Sequence, residues 1–252
     1  MTKIIMNGCG GRMGQVISRL AAEDEAAEIV AGFDINDSVK CEYPVFANPE
    51  ECDITADVII DFSHPSSLAG ILAYAEKRNI PAVIATTGRS GGEKEMLAKA
   101  AEKIPVFFSA NMSLGINLIT ALAKKAASVL EGNFDIEIIE RHHNQKLDAP
   151  SGTALAIAEA IDETLKNPSE FVYDRHSVRR KRRRNEIGIH AVRGGTITGD
   201  HDIIFAGNDE VIEIRHHSAS REIFAVGAIK AAKFMKDKPA GMYNMQDLIE
   251  II

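Results

Sequence analysis

Between Glu140 and Ala154 the chain reads Glu-Arg-His-His-Asn-Gln-Lys-Leu-Asp-Ala-Pro-Ser-Gly-Thr-Ala, its densest run of groups able to hold, move or neutralise a proton. Two adjacent imidazoles, His142 and His143, are followed by Lys146 and then by Ser151-Gly152-Thr153. An imidazole with an ordinary pKa of ~6.5 holds a proton near neutral pH and gives it up to a reacting atom. A lysine ammonium supplies fixed positive charge, and a Ser-Gly-Thr start of a helix offers free amides and the positive end of the helix dipole to an anion. A lone histidine is more often structural or solvated. The combination points instead to acid–base chemistry on a substrate that carries negative charge.

A second constellation lies at the N-terminus. Gly8, Gly11 and Gly14 follow the pattern GxxGxxG, with Gly10 between them, and they stand between an apolar run from Lys3 to Met6 and the helically spaced Met13, Val16, Ile17 and Leu20. Glycines at such a strand-to-helix junction let the backbone pass close to a pyrophosphate, whose charge the helix N-terminus holds. Asp34 ends the next apolar run, Glu28 to Phe33, where a carboxylate accepts hydrogen bonds from ribose hydroxyls. Both parts of a dinucleotide fingerprint are present. Ile35 occupies the place where an arginine would neutralise a 2′-phosphate, which favours NADH; Lys40 keeps NADPH open. Thr86, Thr87 and Gly88 follow a later strand at the end where open α/β sheets bind ligands, and they line either the nicotinamide side or a simple turn.

Two kinds of scaffold are needed to position these groups. Up to Asn111, apolar runs at 57–62, 82–85 and 106–109 alternate with helical patterns from the Pro65-Ser66-Ser67 cap signal to Lys77 and from Gly92 to Lys103. That order predicts a Rossmann-like, doubly wound parallel sheet covered on both faces. A long amphipathic helix over 114–130 then leads to a strand over 135–141 and a helix from Thr153 to about Leu165. Strands are expected at 187–193, 196–198, 202–206 and 211–216, joined by hairpin-type turns at Gly194-Gly195 and Gly207-Asn208-Asp209. This predicts a second, α+β domain with a mostly antiparallel sheet. A helix over 224–236 and an apolar tail from Met245 are expected to rejoin the first lobe, giving a dinucleotide-binding domain of 1–111 with 222–252 and a substrate-binding domain of 112–221. The two crossings are expected to act as a hinge that closes the lobes and excludes water.

Composition narrows the classes of function. With 29 Lys and Arg against 36 Asp and Glu, the net charge is -7, which disfavours nonspecific binding to nucleic acid. The basic run from Arg179 to Arg184 alone suggests a polyanion partner, but no aromatic residue interleaves with it; a solvated loop or an inter-subunit contact is the competing reading. Cys9, Cys41 and Cys52 have neither metal-ligand nor disulfide spacing, so no metal and a reducing, cytoplasmic setting are expected. The N-terminal apolar run is too short for a signal-peptide core, and no stretch reaches the ~18 apolar residues of a membrane span.

The run from Glu140 resembles the signature of the 4-hydroxy-tetrahydrodipicolinate reductase family, also called dihydrodipicolinate reductase: Glu, any residue, then HHxxKxDxPSGTA. The resemblance extends over Gly8 to Gly14, Asp61-Phe62-Ser63, Ala85 to Gly88, Ser109 to Ser113, Arg193-Gly194-Gly195 and Glu213 to His216, and so spans nearly the whole chain. It implies hydride transfer from NAD(P)H to an unsaturated dicarboxylic ring in lysine and diaminopimelate biosynthesis. His142 is implied as proton donor, Lys146 as the second catalytic residue, and His143, Lys146, Ser151, Gly152 and Thr153 as substrate contacts. Cofactor contacts are implied at Gly8, Cys9, Gly10, Gly11, Arg12, Met13, Asp34, Ala85, Thr86, Thr87, Ser109, Ala110, Asn111 and Met112. A homotetramer built through the second domain is implied by analogy. A dinucleotide sensor without turnover leaves His142 and Lys146 without a task, and an amino-acid dehydrogenase does not call for this His-His-Lys and Ser-Gly-Thr cluster.

Overall fold

A computed structural model describes residues 1–36, 39–86 and 91–250. The chain divides into two units, Met1–Leu114 with Glu222–Ile252, and Gly115–Arg221. Strands and helices are numbered along the chain.

The first unit is built on strands β1 (Thr2–Asn7), β2 (Ala27–Phe33), β3 (Val45–Phe46), β4 (Val58–Asp61), β5 (Ala82–Ile84), β6 (Pro105–Phe108) and β12 (Gly241–Tyr243), in the spatial order β12-β6-β5-β4-β1-β2-β3. Every neighbouring pair is parallel. Both faces are covered, which is why β1, β4 and β5 are almost continuously apolar. On one face, α1 (Arg12–Ala22) and α6 (Glu222–Met235) bury Ile17, Ala21, Ala228 and Ala232 against Ile4, Met6, Ile60 and Val83. On the other, α2 (Leu68–Arg78) and α3 (Gly91–Ala101) bury Leu68, Ile71, Leu72 and Leu97 against Ile5, Ile59 and Ile84. The tail forms β12 and a short α7 (Met245–Ile249), whose Met245 and Leu248 complete the first of these cores. Strand order reverses between β1 and β4, so the crevice suited to a ligand lies at their carboxyl ends.

The second unit carries β7 (Asp135–His142), β8 (Glu170–Val172), β9 (Glu186–Arg193), β10 (Gly199–Ala206) and β11 (Val211–Ser218), ordered β11-β10-β7-β9-β8, with α4 (Leu114–Leu130) and α5 (Gly152–Asp162) packed on one face. The sheet is antiparallel around β10 and parallel around β9. Two local expectations fail here. The Gly194-Gly195 turn is not a hairpin, because β9 and β10 both pair with β7, which lies between them. Residues 196–198 belong to that crossover and form no strand. Gly207-Asn208-Asp209 is a true hairpin turn joining β10 to β11, closed by the Gly207 amide on the Glu210 carbonyl at 2.9 Å.

Register explains where the polar groups of this unit gather. Ile136 and Ile138 of β7 pair with Ile187 and Ile189 of β9 and with Phe205 and Ile203 of β10, and all six are buried in one core. With side chains alternating between faces, the same inward rows continue to Glu140 and His142, to Arg193, and to His201 and Gly199. The inward face thus turns from apolar to polar at one end of the sheet.

Candidate active site

In the first unit the glycine turn leaves β1 at its carboxyl end. Gly8 takes φ +82°, a left-handed conformation that glycine adopts without a Cβ penalty, and its amide donates to Phe33 O at 2.8 Å. A Cβ on Gly14 would collide with the Gly8 carbonyl, so the turn and α1 close together only with glycine there. Asp34 accepts from the Gly10 amide at 2.9 Å through Oδ2 and from the Asn36 amide at 3.0 Å through Oδ1, fixing the carboxylate beside the turn. Arg12 is exposed at the start of α1, Met13 is half-buried against the core, and Cys9 is fully buried beneath the turn. Burial, with Cys41 and Asp34 nearby, pushes the Cys9 thiol up to about 12, so it is an inert packing group.

Beside this turn lies a polar network that joins Asp61 and Ser63 to Thr86 and to Asn7, of which the sequence singles out all but Asn7. Buried Asp61, at the end of β4, accepts from Asn7 Nδ2 at 2.8 Å and from Thr86 Oγ1 at 3.0 Å, and it is also bonded by the Ser63 hydroxyl. This ties the carboxyl ends of β1, β4 and β5 together. Ala85 is buried next to Thr86, whereas Thr87 and Gly88 lie outside the described residues. Ser109 and Asn111 form a tight turn, Ser109 Oγ donating to Asn111 O at 2.8 Å and Asn111 Oδ1 accepting from Ser113 N at 2.9 Å. Ala110 is exposed and Met112 is buried under α6.

In the second unit the cluster is organised by a residue whose role the sequence reading did not assign. Glu140 is fully buried, and its carboxylate receives four bonds. Arg193 donates to both oxygens at 2.7 Å, the Ser151 amide donates to Oε1 at 3.0 Å, and His142 Nδ1 lies 2.7 Å from Oε2. Burial alone would raise this carboxyl, but Arg193, His142 and the Ser151 amide outweigh it and hold Glu140 below the usual glutamate range. Ionised Glu140 can only accept, so a hydrogen bond between it and His142 requires the hydrogen on Nδ1. His201 stands edge-to-face with His142 at 5.4 Å between ring centroids and meets Ser151 Oγ through Nε2 at 3.2 Å. Burial, with His142 adding to it, pushes His201 down to about 4 and keeps it neutral.

Ser151 also caps α5, its hydroxyl accepting from the Ala154 amide at 3.1 Å, while Gly152 is exposed and Thr153 half-buried in the first turn. Lys146 pairs with Asp148 at 2.8 Å and lowers that carboxyl. His143 Nε2 lies 3.4 Å from Arg221 Nη2, which places a guanidinium beside it that the sequence reading did not single out. Arg193 further donates to Asp148 O at 2.7 Å, and Gly194 N donates to His142 O at 2.9 Å, so the loop carrying Lys146 and Ser151 is pinned to the end of β9.

The basic run folds back on carboxylates at the opposite end of the same sheet. Arg182 pairs with Asp135 at 2.8 Å and Glu137 at 3.0 Å, Arg183 with Glu170 at 3.3 Å, and Arg180 with buried Glu186.

A doubly wound sheet with this glycine turn, joined to a sheet bearing a carboxylate-held imidazole beside a helix N-terminus, defines a two-domain, pyridine-nucleotide-dependent oxidoreductase. Family models described as dihydrodipicolinate reductase, N-terminus, and dihydrodipicolinate reductase, C-terminus, match residues 2–112 and 115–249. The 4-hydroxy-tetrahydrodipicolinate reductase of Caldanaerobacter subterraneus subsp. tengcongensis is 52% identical over 250 residues, covering 99% of each chain, and that of Clostridium novyi is 48% identical with the same coverage. The dipicolinate-bound dihydrodipicolinate reductase of Paenisporosarcina sp. TG-14 superposes with a TM-score of 0.83 at 27% identity, covering 97% of both chains. The chain belongs to the dihydrodipicolinate reductase family.

Proposed function

We infer that the chain reduces 4-hydroxy-tetrahydrodipicolinate, which loses water to give dihydrodipicolinate, to tetrahydrodipicolinate with NAD(P)H, a step of lysine and diaminopimelate biosynthesis. The observation that carries this reading is the second-unit cluster, where His142 is held by a buried carboxylate beside the capped N-terminus of α5. The first unit suits the cofactor: the turn is closed to any Cβ at Gly14, and each oxygen of Asp34 keeps a lone pair for a ribose hydroxyl beyond its amide partner. Gly8, Cys9, Gly10, Gly11, Arg12 and Met13 would hold the pyrophosphate, Asp34 the ribose, and Ala85, Thr86, Thr87 and Ser109, Ala110, Asn111 and Met112 the nicotinamide side. When bound, the dihydronicotinamide supplies hydride.

The chain's own residues do the rest. Reduction leaves electron density on the ring, and His142 meets it with a proton from Nε2, the nitrogen not committed to Glu140, a contribution typically of ~100- to 10,000-fold. The amides of Gly152 and Thr153 and the charge of Lys146 take the substrate carboxylates through charge-assisted hydrogen bonds. His143 adds a further substrate contact. Lys146 must exchange Asp148 for substrate. Ile35 is exposed and offers no cation next to Asp34, which supports NADH over NADPH. A homotetramer through the second unit and a cytoplasmic location complete the proposal; among the described residues no helix is long and apolar enough to cross a membrane.

The test follows oxidation of NADH and, separately, NADPH with substrate generated from pyruvate and aspartate semialdehyde. Turnover that is faster with NADH and drops by at least ~100-fold in His142→Gln is the expected result. Binding of NADH without turnover would overturn the assignment.

A further inference from the structure

The carboxylate of Glu140 is completely removed from solvent, yet it sits where an apolar residue would continue the row Ile136, Ile138. A buried ion pair adds little net stability over well-packed apolar groups, so Glu140 and Arg193 call for another explanation. Geometry supplies one. Three of the four bonds to Glu140 come from fixed groups on β9 and at the start of α5, and the fourth goes to His142. The carboxylate is therefore held independently of His142, and the imidazole is the partner that takes its orientation from it. On the far side of the ring, a Cβ on Gly199 would lie 3.0 Å from His142 Nε2, closer than ordinary van der Waals contact, and the next atoms it would meet belong to the same ring. Position 199 thus leaves open the space that Nε2 addresses.

We propose that Glu140 is the positioning residue of this active site: clamped by Arg193 and the Ser151 amide, it keeps a proton on His142 Nδ1, reserves Nε2 as the atom that delivers the proton, and sets that atom in register with the N-terminus of α5. The proposal rests on the reading of His142 as proton donor. The same carboxylate grips the Ser151 amide, so one group fixes both the proton and the anion-holding helix turn. The charged and titratable groups around the ring are Glu140 from β7, Arg193 from β9 and His201 from β10, with Asp148 approached through Arg193 from the loop before α5. Only the first of these contacts Nδ1.

The wild-type protein labelled with 15N-histidine tests this directly, the His142 signals being assigned by their loss in His142→Gln. In the neutral ring, the Nδ1–H tautomer is expected; the Nε2–H tautomer would overturn the proposal whatever the variants do. In Glu140→Gln, which lacks the fixed negative charge, both tautomers are expected, kcat falls on the order of 100-fold, the KM for NADH stays within about twofold, and the kcat–pH profile changes shape. Glu140→Asp, which restores the charge at a shorter reach, recovers part of kcat. A folded Glu140→Gln protein with wild-type kcat and pH profile would also overturn the proposal. If the wild type turns over no substrate at all, the reductase reading fails, and the tautomer measurement still decides whether Glu140 positions the ring.

Discussion

A single missing methyl group governs access to the proton-bearing atom. In Gly199→Ala the new Cβ would sit 3.0 Å from His142 Nε2, and the ring cannot retreat because Glu140 holds its other nitrogen at 2.7 Å. The expected outcome is a loss of kcat of about 10-fold or more with unchanged NADH affinity, read by steady-state kinetics beside a fluorescence titration of NADH. Ser151 is the second informative position, since its hydroxyl both caps α5 and meets His201. Ser151→Ala should cost ~1 kcal/mol of stability, measured by denaturant unfolding, and should raise the KM for the dicarboxylic substrate more than the KM for NADH. His142, Lys146 and Ser151 were visible in the sequence because their spacing is local. Glu140 stood in the same run but had no assigned role, since its partner Arg193 is brought to it only by the pairing of β7 with β9.

At the scale of elements, the β1–α1 junction tolerates no enlargement. Gly14→Ala forces apart the Gly8 carbonyl and the first turn of α1, and the expected result is loss of NADH binding by calorimetry, while circular dichroism retains most of the helix signal. Most elements were legible for a physical reason: buried parallel strands are continuous apolar runs, and α1, α4 and α6 carry small or apolar residues at helical spacing. The two-residue β3 and the three-residue β8 and β12 were not, because edge strands this short show no alternation. The Gly194-Gly195 turn looks like a hairpin in sequence but is a crossover, for a different reason. Turn chemistry reports how the chain bends, whereas the partner of each strand depends on β7, about fifty residues earlier in sequence. The alternation Ile136, Ile138, Glu140, His142 carries the passage from core to site in the sequence itself, since the period of two continues past the apolar residues.

For the whole molecule, buried titratable groups set the response to acid. His201 is pushed down to about 4 by burial, so between its ordinary pKa of 6.5 and about 4 the unfolded chain binds the proton that the folded one refuses; stability is full above 6.5 and falls across that window. Glu186, drawn from 4.5 to about 2 first by Arg175 and then by Arg180, adds stability above 4.5 that is lost as pH falls towards 2. Thermal unfolding followed against pH should therefore show a midpoint that declines in two stages, with His201→Phe flattening the upper stage and Glu186→Gln the lower; a single transition confined below pH 4 would contradict the first assignment. The route of the chain also has a temporal meaning. The apolar face that α6 covers, with Ile4, Met6, Ile60 and Val83, is laid down before residue 115, but α6 itself is made only after the entire second unit. At elongation rates of ~5–20 residues per second, the nascent first sheet waits roughly 5–20 s for its lid of Ala225, Ala228, Ala232 and Met235. Through that interval the second unit is still being made, so the older half of the newborn protein keeps this apolar face uncovered until α6 emerges.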